Sequence, residues 1–180
     1  MVDSFLAVID RLIALLTKRQ SDRREIFLDI IAPMFHELQG VVFQYFSLFF
    51  DGKRTVLKSS GREELEAELK KLWQTHEQVV LARLKVLALA EEIGTQLPDK
   101  RIAKFCEKVA HLFESSHWYE GIGKMSPGRL TLHSIESLLV DGASRGKVLS
   151  HIEQTLRHME ERWGAVTQSY AAVTLHCLKR

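Results

Sequence analysis

Proline is scarce in this chain, with three residues among 180, at positions 33, 98 and 127. Long stretches therefore run without a helix breaker. Cysteine is scarcer still. Cys106 and Cys177 stand far apart, in no metal-ligand spacing, and each falls on an apolar helical face. They read as small buried hydrophobes of a reducing compartment rather than as a disulfide, and the cytoplasm is the expected location. No Asn-Gly hairpin signal occurs and no stretch sustains a two-residue alternation, so no strand is expected. A dominant charge is missing as well: 25 Lys and Arg face 23 Asp and Glu, for a formal +2. That balance argues against a protein devoted to neutralising duplex phosphates, while leaving room for local basic patches.

A charge-free run of about twenty apolar residues, which a membrane span needs, is also absent. The nearest approach is residues 26–50, "IFLDIIAPMFHELQGVVFQYFSLFF", and it holds Asp29, His36 and Glu37. Asp29, Pro33, His36/Glu37, Gly40, Gln44, Ser47 and Asp51 recur at steps of three or four, so they form one polar stripe along a helix. The remainder is apolar, and Phe43, Tyr45, Phe46, Phe49 and Phe50 crowd its end. A narrow polar stripe and a wide apolar remainder predict a central core helix rather than a span. Pro33 predicts a kink or a break near Ile31–Ala32. The opening "MVDSFLAVIDRLIALL" carries Asp3, Asp10 and Arg11 where a secretory signal needs a basic lead and an unbroken apolar stretch. It reads as an amphipathic helix over 3–18 with Phe5, Ile9, Leu12 and Leu16 on one face. No membrane association is expected.

What is present is helical periodicity nearly throughout. With 46% apolar and 27% charged residues, the composition is that of a globular protein. The pattern predicts an all-α fold, a single domain over 1–180: an elongated bundle of five to seven helices with long ones at about 22–50, 61–94 and 147–178. Ser21 or Asp22 with Glu25 caps the first of these, and Ser60 with Glu63 caps the second. "DGKRTVLKSSG" (51–61) separates them as a polar connector. The second long helix carries Leu65, Leu69, Leu72, Val79, Val86 and Ile93 on one seam, with His76 and Arg83 interrupting, and Gly94 as its stop. Asp99 caps a helix over 100–115 that faces Ile102, Phe105, Cys106, Val109, Leu112 and Phe113 inward. A loop, "SSHWYEGIGKMSPGR" (115–129), precedes a short helix over 131–140, which "DGASRG" ends. The last long helix alternates steps of four and three through Ile152, Leu156, Met159, Trp163, Val166, Tyr170, Val173 and Cys177, a coiled-coil seam usable within the chain or between two copies. Gly164 interrupts good helix formers there, so a close neighbour is expected at it.

Eight histidines invite a metal reading. Di-iron bundles need two Glu-x-x-His motifs, and only Glu114-Ser-Ser-His117 occurs. His36-Glu37 lacks the second histidine of a zinc-protease helix, and His151 and His158, two turns apart, have no third ligand nearby. No metal and no cofactor are expected. Glycine-rich phosphate loops, Ser/His/Asp constellations and cysteine nucleophile arrangements are missing too.

Three sets of residues remain as candidates. Trp118 and Tyr119 sit in the long loop, where such residues either plug a bundle end or form a binding hot spot; Trp163 and Tyr170 on the final seam are further partner-binding candidates. Lys53, Arg54, Lys58 and Arg62 surround the start of the second long helix, whose free amides suit an anion or a nucleic-acid phosphate; Arg19/Arg23/Arg24 and Lys100/Arg101/Lys104 are similar clusters at other helix ends. Finally, Arg145-Gly-Lys-Val-Leu-Ser-His151 has an arginine and a histidine six apart near the start of a long helix. That pattern resembles the HEPN ribonuclease families, all-α proteins that cleave RNA without metal, usually as dimers. The resemblance covers seven residues and implies that Arg145 stabilises phosphate charge while His151 acts as general acid or base. Gly146 departs from it, since those families usually follow the arginine with a polar residue. The expected function is a non-enzymatic helical interaction module that binds a protein partner or itself; the alternative is a nucleic-acid-directed protein, either a binder through its basic helix ends or a ribonuclease.

Overall fold

The computed structural model describes residues 23–114, 118–119 and 123–179, with only the backbone of 118–119 and 123–124. The amphipathic segment expected at 3–18, its following cap at Ser21 or Asp22, and His117 lie outside the described residues. Among the described residues five helices carry the fold: α1 (Arg23–Lys58), α2 (Arg62–Gln96), α3 (Lys100–Leu112), α4 (Pro127–Val140) and α5 (Arg145–Leu178). The protein is all-α. Its only pairing of extended backbone among the described residues is a two-residue antiparallel ladder, with β1 (Trp118–Tyr119) against β2 (Gly123–Lys124). No strand was expected there; the pairing Trp118↔Lys124 and Tyr119↔Gly123 corrects that reading of the loop.

Pro33 does not break α1. One π-helical turn, Phe27–Ile31, precedes it, and the Ala32 amide donates to the Phe27 carbonyl five residues back. A proline ring clashes with the carbonyl four residues before it, here Asp29, and cannot donate to it. Widening the turn that contains Asp29 accommodates both defects and keeps the helix continuous. At its other end α1 runs past Phe50 to Lys58, so the expected connector at 51–61 is largely helix. Burial explains this: Thr55 and Val56 are buried, and a side chain at Gly52 would lie 3.0 Å from Ile135 Cδ1 and 3.4 Å from Thr131 Cγ2. Packing against α4 overrides a locally polar sequence.

Three other boundaries and one cap partner differ from expectation for identifiable reasons. Gly94 does not stop α2, which continues to Gln96; a Cβ at Gly94 would meet Cys106 Cβ at 3.2 Å, so the glycine serves a close approach of α2 and α3. The carboxylate that closes the cap of α2 is Glu64 rather than Glu63: its Oε2 accepts from the Ser60 amide at 2.8 Å and from Ser60 Oγ at 2.9 Å. Those bonds hold Glu64 below the usual carboxylate range. The helix expected at 131–140 starts at Pro127, because Ser126 is the N-cap, accepting from the Arg129 amide at 3.4 Å, and proline suits the first helical position. Arg145 is the first residue of α5 rather than part of the preceding loop. Between α4 and α5, Gly142 takes a φ of 63° while the amides of Asp141 and Ala143 both donate to the Ser137 carbonyl, a glycine-dependent helix stop.

The chain divides into two compact units, one of residues 23–40, Ala82–Leu112 and 162–179, the other of Val41–Leu81, 118–119 and 123–161 together with 113–114. In the first, Phe35 is the centre of an aromatic stack. Its ring lies 3.7 Å from the Tyr170 centroid at 5° and 5.5 Å from that of Trp163 at 9°, while Phe105 tilts against both Phe35 and Tyr170. Val166, Val173 and Cys177 are buried beside them. This part of the α5 seam is thus filled within the chain. Cys106 and Cys177 are both buried, with no disulfide between them, and burial pushes the Cys106 thiol up to about 12. In the second unit Tyr45, fully enclosed, packs on Phe49, Phe113 and His76, and Ile152 and Met159 of α5 are buried.

Asp99 joins three segments of the first unit. Oδ1 accepts from the Arg101 and Ile102 amides at 2.9 and 3.4 Å, capping α3 as expected, and Oδ2 accepts from His176 Nε2 at 2.8 Å. Arg23 approaches to 3.8 Å. Burial raises the pKa of this carboxyl, but the bonds from His176 and the two amides outweigh it and hold Asp99 below its ordinary 3.8. A depressed acid stabilises the fold fully above pH of about 4 and loses that contribution as pH falls through the lowered value. Asp99→Asn is therefore expected to be less stable than wild type by about 1 kcal/mol at neutral pH. The gap closes below about pH 4. Melting temperatures across a pH series check this; a gap independent of pH would refute it.

Candidate functional site

The histidine-rich side of the second unit begins with α4. His133 Nδ1 donates to Glu136 Oε2 at 2.9 Å and its Nε2 accepts from Arg129 Nε at 3.4 Å, which defines its tautomer. Its ring stands edge-on to Trp73, and Trp73 in turn to His76. A cleft of about 580 Å³ opens beside His133, lined also by Met125, Ser134, Glu136, Asp141 and His151. Inside it, Ser134 Oγ lies 2.7 Å from His151 Nδ1 and 2.9 Å from the Leu130 carbonyl. Ser134 and His151 are thus a hydrogen-bonded pair within the cleft, with the donor set by the histidine tautomer. Among the described residues no group of three or more His, Cys, Asp or Glu is placed to hold a metal ion.

Arg145 lies elsewhere. It donates to the Ser59 carbonyl and lines a second cleft, of about 340 Å³, with Ser60, Gly61, Arg62 and Leu138. Six residues apart on one helix, Arg145 and His151 differ by about 9 Å along the axis and by a third of a turn around it. Each therefore lines a different cleft, and the pair is not brought together.

The four basic candidates sit on the last turns of α1 and the first of α2. Lys53 binds Glu153 at 2.6 Å, Arg54 binds Asp51 at 2.9 Å and Arg62 binds Glu66 at 2.8 Å, while Lys58 is exposed. The bond from Lys53 holds Glu153 below the usual carboxylate range. Three of the four cations therefore already have a carboxylate of this chain beside them. Trp163 and Tyr170 are stacked on Phe35. Trp118 and Tyr119 contribute their backbones to the β1 and β2 ladder, and their rings lie outside the described residues.

A different surface was not singled out from the sequence. On α1 the expected polar stripe is correct in that His36, Glu37, Gly40, Gln44 and Ser47 are exposed, but it is too narrow. Phe43 is 69% exposed, Phe50 58% and Leu57 57%. These residues stand at intervals of seven, two helical turns, and so on one edge of the exposed face. The signal was legible: all three share a heptad position whose preceding member is the polar His36. Phe46, one position further round, is half-buried. Leu28, near the start of α1, is also half-exposed, while Ile30, Ile31, Leu38, Tyr45, Leu48 and Phe49 are all buried. By length and composition alone α1 is long and apolar enough to cross a membrane.

Comparison with protein-family models, with curated proteins and with solved structures finds no match to this chain.

Proposed function

We propose that this protein is a non-enzymatic helical interaction module, cytoplasmic and without a cofactor, that docks a helix of its partner along α1. The observation that carries this reading is the exposed series Phe43, Phe50 and Leu57. Large apolar side chains on a surface are ordinary when scattered; three at a seven-residue interval form the stripe that a partner helix covers. Two buried cysteines that form no disulfide are consistent with a reducing compartment. The basic helix ends favour nucleic acid less, since most of those cations already face carboxylates of this chain.

Replacing Phe43 and Phe50 together by Glu is the test. Both rings are exposed, so the change in stability is expected to stay within about 0.5 kcal/mol. A photo-reactive residue at Ser47, in the middle of the stripe, is expected to form adducts in cells that the double variant loses. Undiminished adducts, or a large drop in melting temperature, would sink the proposal.

A further inference from the structure

We draw no further inference here: the strongest candidate, the exposed series Phe43, Phe50 and Leu57 on α1, belongs to the surface already described, and nothing in the structure shows what covers it.

Discussion

Phe35→Ala lowers the stability of the chain by about 3–5 kcal/mol. Phe35 is nearly enclosed, and its ring contacts those of Tyr170, Trp163 and Phe105. Removing it leaves a void among rigid rings that cannot collapse into the space, so the lost transfer energy and the cavity cost add. The stacked geometry contributes about 0.5–1.5 kcal/mol per aromatic pair beyond burial. Denaturant unfolding followed by circular dichroism measures the effect. Phe43→Ala is the control: the same chemical change at an exposed ring is expected to cost no more than about 0.5 kcal/mol. Equal losses at positions 35 and 43 would mean that the two faces of α1 have been misassigned.

Gly128→Ala is the second large effect, opposite in sign to what helix propensity alone predicts. The glycine stands in the first turn of α4, where alanine gains at most the roughly 1 kcal/mol it gains in a helix interior. A Cβ there would stand 2.7 Å from His76 Cδ2 and 2.8 Å from Tyr45 Cε1. Carbon atoms are at ease near 3.5–4.0 Å. Neither ring has room to withdraw: Tyr45 is enclosed by Phe49 and Phe113, and His76 by Trp73 and Tyr45. Overpacking of this kind costs about 1–3 kcal/mol and exceeds the propensity gain. Gly164→Ala is the matched comparison. The close neighbour expected at Gly164 is not there, because the residue is exposed with nothing within 4 Å of an added Cβ. Alanine at 164 should therefore raise stability by up to about 1 kcal/mol. Melting temperatures that move in the same direction for the two variants would contradict this account.

The two glycines show where reading the sequence stops. Both stand in helices and both lower helix propensity, yet only one is needed for a close approach. What distinguishes them is a pair of rings, Tyr45 of α1 and His76 of α2, both far from Gly128 in the sequence. The α2 seam, by contrast, was readable in full: Leu65, Leu69, Leu72, Val79, Val86 and Ile93 are all buried, and so is His76 within it. The inward face of α3 was equally clear, as was the Asp99 cap. Caps and seams depend on residues within one or two turns, and a window of sequence contains all of them. The candidate surface fell between these cases. The polar stripe on α1 was visible, but whether Phe43 and Phe50 join the core or border that stripe depends on how widely neighbouring helices wrap α1.

By itself, then, the sequence determined that this chain is all-α, where most helices run and which residues form their principal seams, because helical period and capping are local properties. Tertiary structure alone decided that α1 passes through Pro33 on a widened turn and continues to Lys58, that Trp163 and Tyr170 close on Phe35, and that Phe43, Phe50 and Leu57 stay in water. The physical reason is that a side chain's burial is a property of what packs against its helix. An apolar residue one step beyond the reach of the neighbouring helices is as hydrophobic as any in the core, but has nothing among the described residues to cover it.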